Sequence, residues 1–371
     1  MQKILILVPA ATARGGITNY YQVLKEYLPS STEYFERGAR TWPIRNGFFS
    51  ELIRAWRDYK VFKERLNEED VDLVQTTTSL GIRTTIRDGL FIRYAKRKKI
   101  KAIVFFRGWD DTVENIIQNK YLSLFKYFFF PSDAVITLSN RSKEKLISWG
   151  YKKEIYLETT LVDKKLLSGF TEKLIITKNS QLFETKKVKL LFISRIEKRK
   201  GIYELLDAFQ EIQQNRLNNF QFNLDIGGDG FELENIKKMI RDEDIENVSV
   251  HGFVSGDKKK ELFKEANIFI FPSYGEGMPN AVLEAMGFGL PVITTEVGGL
   301  KDFFVEKQNG YFVRIANKSD LIKTLGSLIS DQERFIRISK NNYKMAESNF
   351  RSDVVAERLN IIFEQILNKE K

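Results

Sequence analysis

The 371-residue chain contains no cysteine and only one histidine. Without cysteine there is no disulfide framework, no thiolate metal site and no thiol nucleophile. A single histidine, His251, leaves no Ser-His-Asp triad with an evident motif and no histidine metal cluster. No apolar run reaches the roughly 18 residues that a membrane-crossing helix needs. The run Ile4 to Val8 near the N-terminus is too short for a signal segment and reads as a buried first strand. No internal repeat or low-complexity tract is present. A cytoplasmic protein is the simplest expectation.

What is present is a long chain with 43% hydrophobic and 13% aromatic residues. That length exceeds one ordinary core and fits two domains of roughly 150–200 residues. The formal net charge of +10 lies wholly in the first part. Residues 1–165 hold 29 Lys and Arg against 19 Asp and Glu, whereas the remainder holds 30 of each. The asymmetry points to an anionic partner for the first half, a membrane surface or nucleic acid, or to a solvated basic face.

Short apolar runs alternate with helical patterns. Strands are expected at 3–9, 72–75, 102–106 and 134–138, then at 188–194, 221–226, 247–250, 267–271 and 291–294. Such alternation predicts α/β architecture with parallel sheets wound right-handedly. The segment 159–187 lacks a clear period and marks the boundary. Two blocks result, 1–165 and 166–350, with a charged helical end over 351–371. In open parallel sheets ligands bind beyond the carboxyl ends of the strands, so the loops that follow strands carry the information.

After the first strand, "ATARGGITNYY" sets Gly15 and Gly16 before a helix, where backbone amides and the helix N-terminus favour an anion. "SRIEKRKG" places Arg195, Lys198, Arg199 and Lys200 between a strand and a helix, cations suited to a pyrophosphate or to solvent. "IGGDG" clusters Gly227, Gly228 and Gly230, but Asp229 puts a negative charge where phosphates would sit. "HGFV" follows another strand with Gly252 and Phe253. His251 itself reads as a packed or surface residue.

The stretch "SYGEGMPNAVLEAMGFGLPVITTEVGG", Ser273 to Gly299, is the densest. Pro279 suits the first turn of a short helix. Glu276 lies in the loop before that helix and Glu284 in its second turn, so the two acids do not share a helix face. Neither has a cation near it in sequence. A capping acid and a solvated helix acid would account for either alone but not for the whole segment.

Gly-Glu-Gly, a seven-residue gap to a second Glu on a helix, then Gly-Leu-Pro-Val and Gly-Gly together resemble the retaining glycosyltransferases of family four. The first glycine loop, "SRIEKRKG" and "SDAVITLSNRSKEKL" agree in order, so the resemblance covers nearly the whole chain. It implies the GT-B fold, two Rossmann-like domains facing across a deep cleft, with the C-terminal segment packing back on the first domain. It implies a nucleotide-sugar donor, UDP before GDP, and a saccharide acceptor expected to be lipid-linked. It implies no cofactor and no metal. By resemblance, Glu276 binds the donor sugar, Arg195 and Lys200 neutralise the leaving diphosphate, and Glu284 holds the ribose. Gly277, Met278, Pro279, Asn280, Gly298 and Gly299 would meet sugar or phosphate, Gly252 and Phe253 the base, and Gly15 and Gly16 the diphosphate. The implied chemistry is front-face attack with retention, the leaving phosphate taking the acceptor proton.

There are departures. Many relatives carry a histidine after the strand at 102–106, where this chain has Arg107 and Asp110 as acceptor-side candidates. Pro279 replaces a glycine, and "ETTLVD" stands where Asn-Gly-Val-Asp is usual. Aromatic and basic residues interleave over 46–66 and 119–130, as expected of a face resting on an anionic membrane at the inner side of the cell membrane or of helices packed on the sheet. Competing readings are a nucleotide-sugar epimerase, disfavoured by the single histidine, and a nucleic-acid-binding protein, which leaves the Glu276–Glu284 segment unexplained.

Overall fold

The computed structural model describes residues 2–13, 15–38 and 48–369. Two compact units form, one from Met1–Thr160 with the segment from Ser352 onward, the other from Leu161–Arg351. Each is built on a six-stranded, wholly parallel sheet.

The strands of the first unit are β1 (Ile4–Pro9), β2 (Thr32–Arg37), β3 (Leu73–Ser79), β4 (Lys101–Gly108), β5 (Ala134–Thr137) and β6 (Glu154–Leu157), in the order β2-β1-β3-β4-β5-β6. Those of the second are β7 (Lys187–Ile193), β8 (Gln221–Gly227), β9 (Val248–Gly252), β10 (Ile268–Phe271), β11 (Val292–Thr295) and β12 (Gly310–Val313), in the order β12-β11-β10-β7-β8-β9. In the second sheet the chain proceeds outward from β7 to one edge, then returns and proceeds from β10 to the other. The reversal of strand order therefore falls between β7 and β10, the place where loops diverge and leave a crevice at the carboxyl ends.

Nine of the twelve strands are those expected. The three missed, β2, β6 and β12, all lie at sheet edges. Interior strands such as "ILIL" in β1 and "IFIF" in β10 are buried on both faces and read as unbroken apolar runs. Edge strands such as "TEYFER" carry exposed polar positions that blunt lateral pairing and erase that signal. The supposedly aperiodic segment 159–187 contains a helix, Glu172–Thr185. The last 40 residues form two helices, Gln332–Asn349 and Ser352–Asn368. Ser352–Asn368 is latched within its own unit by Arg358, which grips the buried Glu158 through Nε (2.6 Å) and Nη2 (2.9 Å).

The first unit also carries a buried charge pair. Arg37, at the end of β2, meets Asp88 of the helix Ile82–Arg97 at 2.8 Å, and the Asp88 side chain is wholly buried. Burial pushes the Asp88 carboxyl up, but Arg37 and Arg87 outweigh it and hold it below the ordinary carboxylate range. Removing one partner of such a pair strands the other charge, so Asp88→Ala should cost about 3–5 kcal/mol in urea unfolding at neutral pH. Because the folded value is lowered, the pair's contribution is present above the carboxyl's unfolded value and is lost as pH falls through the folded one. The stability gap between wild type and Asp88→Asn should thus narrow on acidification; a constant gap would show that the charge does not matter.

Candidate functional site

β7 and β10 are hydrogen-bonded neighbours, and the loops that leave them run side by side. After β7 comes Ser194–Gly201, with a short 3₁₀ turn at Lys198–Lys200; after β10 comes Pro272–Pro279. The loops are stitched together: Tyr274 N–H donates to the Arg199 carbonyl at 2.8 Å, and Ser273 Oγ lies 3.3 Å from the same oxygen. Gly201 is left-handed (φ 74°), and a Cβ there would overlap the Pro272 carbonyl, so only glycine lets the loops approach this closely.

That approach brings Lys200 against Glu276. Lys200 is 5% exposed, and its ammonium donates to Glu276 Oε1, which also accepts from Ser273 Oγ at 2.9 Å. The partner that Glu276 lacks in sequence is thus supplied from 76 residues away. Arg195 does not join them. Its side chain is 66% exposed and pairs with Glu197 at 2.6 Å, while Arg199 approaches the other Glu197 oxygen at 3.5 Å. Of the four cations in the loop, Lys200 alone turns inward; Lys198 and Arg199, like Arg195, are exposed.

A third loop closes over the second. Thr295, at the end of β11, donates its hydroxyl to the Ser273 carbonyl, and Gly299 N–H donates to the Gly277 carbonyl at 2.7 Å. Gly298 (φ 53°) lies so close that a Cβ would overlap the Glu276 and Gly277 carbonyl oxygens. The Gly299 amide expected to face phosphate or sugar is therefore bonded within the protein and braces the Gly-Glu-Gly loop.

The helix Asn280–Gly287 begins one residue later than expected. Pro279 is its extended N-cap (φ −78°, ψ 113°), with a carbonyl accepting from Val282 N–H, and not its first helical residue. Residues Val282 to Gly287 are buried. Glu284, 4% exposed, is met by Lys259, whose ammonium donates to Oε1 at 2.7 Å and stands 2.6 Å from Oε2. Lys259 is hard to single out in the sequence because it is the middle of a Lys258-Lys259-Lys260 run. A helical signal was available, since Leu262 and Phe263, three and four residues on, are both buried. Met278 is buried, and Asn280 is half-buried at the helix start.

On the other side of β7, the Gly227–Gly230 cluster serves the turn. Ser194 N–H donates to the Gly227 carbonyl and Ile196 N–H to the Asp229 carbonyl, both at 3.0 Å. At the end of β9, Gly252 is left-handed, its carbonyl accepts from Gly228 N–H at 2.6 Å, and Phe253 is 62% exposed. His251 pairs with Asp225 at 2.6 Å.

In the first unit, Gly15 caps the helix Gly16–Leu24 without a side-chain hydrogen bond. Arg107, near the end of β4, is buried, with its guanidinium 3.7 Å from the centroid of the Tyr20 ring and Nη2 donating to Thr160 Oγ1 at 3.1 Å. Asp110 acts as a helix cap. Its Oδ1 accepts from the N–H groups of Thr112 (2.9 Å) and Val113 (3.0 Å) at the start of the helix Asp111–Ile116. Among the described residues, no group of three or more His, Cys, Asp or Glu is placed to hold a metal ion.

The family described as Glycosyl transferases group 1 matches residues 175–345, which carry Lys200, Lys259, Glu276 and Glu284. The chain is 27% identical to the capsular polysaccharide biosynthesis glycosyltransferase CapM of Staphylococcus aureus over 273 residues, covering 70% of this chain and 69% of that one. Its fold is similar to that of the sucrose-phosphate synthase of Thermosynechococcus elongatus (TM-score 0.74, 18% identity, all of both chains). It is also similar to that of Anabaena HepE solved with UDP and glucose (TM-score 0.70, 17% identity, 98% of this chain and 100% of that one). With two parallel α/β units and a candidate site at the reversal point of the second, the chain has the GT-B fold of these glycosyltransferases, and its residues 175–345 match the Glycosyl transferases group 1 family.

Proposed function

We propose that this glycosyltransferase moves a sugar, with retention of configuration and without a metal, from a nucleotide-diphosphate donor to a saccharide acceptor in surface-polysaccharide or glycolipid synthesis. The observation that carries this reading is the Lys200–Glu276 pair at the reversal point of the second sheet. The CapM relative, named for capsule synthesis, and HepE, solved with UDP and glucose, support the polysaccharide product and a UDP donor.

The chemistry follows from the charges. Glycosyl transfer passes through an oxocarbenium-like state as the diphosphate departs, and stabilising the leaving charge is the main demand. Lys200 meets it from a nearly dry position, where a point charge acts most strongly. Arg195, exposed on the same loop and paired with Glu197, adds a second cation. Glu276 binds a hydroxyl of the donor sugar, and Glu284 accepts from the ribose. Both acids are held by lysines, which leaves neither arranged as a base for the acceptor, so the leaving phosphate takes its proton.

The pair makes the two residues separable. Lys200→Ala should abolish transfer and weaken UDP binding at least about tenfold, because a diphosphate loses its buried cation. Glu276→Gln should lower kcat by about 10²–10³-fold without weakening UDP, because the carboxylate competes with the diphosphate for Lys200. Calorimetric titration of UDP and a radiolabelled transfer assay over UDP- and GDP-sugars measure both, and excess EDTA should leave transfer unchanged. Wild-type activity in either variant, or equal loss of UDP affinity in both, would overturn the assignment.

The acceptor reading rests on the basic first unit. No helix of the described residues is long and apolar enough to cross a membrane. One face of the helix Phe48–Glu68 exposes Ile53 (59%), Trp56 (66%) and Val61 (46%) beside Arg57 and Lys60. Asn46 and Gly47 of the interleaved segment lie outside the described residues. In the second segment, 119–130, Phe125, Phe128 and Phe129 are buried in the core, whereas Tyr121 and Tyr127 are exposed. The 53–61 face is suited to an anionic bilayer carrying a lipid-linked acceptor. Flotation with phosphatidylglycerol vesicles should recover wild type in a salt-sensitive manner, and Trp56→Ser with Lys60→Glu should leave most protein unbound. Absence of salt-sensitive binding by wild type would end the membrane reading.

A further inference from the structure

Lys259 is not among the residues that the sequence or the family resemblance implicates, yet it makes the closest ionic contact of the buried Glu284. Its ammonium donates to Oε1 at 2.7 Å and lies 2.6 Å from Oε2, which is itself buried and accepts no well-directed hydrogen bond. Its neighbours behave otherwise. Lys258 turns to Glu261 at 3.1 Å, and Lys260 turns to the Ser168 carbonyl at 2.8 Å. Lys259 sits in the first half of the helix Gly256–Glu265, which leaves the Gly252–Ser255 loop and carries the chain back from β9 to β10. The ion pair therefore joins the helix that follows β9 to the helix that follows β10, two segments with no backbone pairing to one another.

A carboxylate removed from water needs a counter-charge, and one cation bridging both oxygens also fixes the plane of the carboxylate. The carboxylate lone pairs that Lys259 does not take then keep acceptor capacity for a ligand hydroxyl, in an orientation that the free Glu284 side chain would not hold. We propose that Lys259 is a positioning residue that aims Glu284 at the ribose diol of the donor, and so sets the preference for a ribonucleotide over a deoxyribonucleotide. This rests on the reading of Glu284 given above. A purely structural ion pair would alter stability while leaving that preference untouched.

The test is titration calorimetry with UDP and GDP and their 2′-deoxy counterparts, on wild type, Lys259→Met, Lys259→Arg and Glu284→Gln. Wild type should prefer the ribose form of its nucleotide by about ten- to hundredfold, the factor carried by a hydrogen bond to a charged group. Lys259→Met should reduce the preference to less than about threefold, Lys259→Arg should restore most of it by keeping the charge, and Glu284→Gln should lose it. Where Lys259→Met does not fold, the double variant Lys259→Met/Glu284→Gln removes the stranded charge, and Lys259→Arg against Glu284→Gln decides. A preference lost in Glu284→Gln but kept in Lys259→Met, or lost in Lys259→Arg as fully as in Glu284→Gln, overturns the role of Lys259 alone. A wild type that binds UDP or GDP without regard to the 2′-hydroxyl, or binds neither, overturns the reading of Glu284 and this proposal with it.

Discussion

Lys200 holds an ammonium in a position almost sealed from water, and a charge so placed is tolerated only against an opposite one. Much of the second unit's loop architecture serves that condition. Glu276 must reach Lys200, so the β10 loop must lie on the β7 loop, which in turn requires glycine at 201 beneath the Pro272 carbonyl. Holding Glu276 there requires the β11 loop to close from above, with Gly298 at the contact and Gly299 bonded to Gly277. Three strand ends that are neighbours in the sheet thus become one site through close backbone packing and the side-chain bonds that it allows.

Each acid of the Glu-x₇-Glu segment is held by a lysine from a distant part of the chain, Lys200 for Glu276 and Lys259 for Glu284. Charges so matched leave the site close to electrically neutral, which lowers the electrostatic cost of burying four ionised groups. An incoming diphosphate and its sugar meet groups that are already oriented, and exchange one set of charge-assisted contacts for another. Preorganisation of this kind removes much of the reorganisation that weakens electrostatic catalysis in water.

The first unit works by different means. Its core is unusually aromatic, with Phe62, Phe91, Phe106, Phe125 and Phe129 in edge-to-face or stacked contact. The Arg37–Asp88 and Glu158–Arg358 pairs link elements that are distant in the chain around it. Arg107 is stabilised instead over the face of Tyr20, an arrangement that leaves Nε and Nη1 without hydrogen-bond partners. The charge excess that stands out in composition is therefore not one patch. Some of this half's cations are cancelled in internal pairs, and others, such as Arg57 and Lys60, lie beside the exposed apolar side chains Ile53 and Trp56.

The α/β class, the interior strands, the helix carrying Glu284 and the position of the Gly-Glu-Gly loop after a strand were determined by the sequence itself. Runs such as "IFIF" and the abrupt Pro279 boundary are local signals, set by burial on both faces and by backbone geometry over a few residues. The edge strands β2 and β6 left no such trace, because their exposed positions break the apolar pattern. The charge partners were hidden for another reason. Lys200 and Arg195 share one loop and one chemistry, and Lys259 differs from Lys258 and Lys260 only in its helical spacing to Leu262 and Phe263. Only the tertiary structure decided which of them turned inward, because pairing with Glu276 and Glu284 depends on loops brought together across the sheet, over separations of 76 and 25 residues.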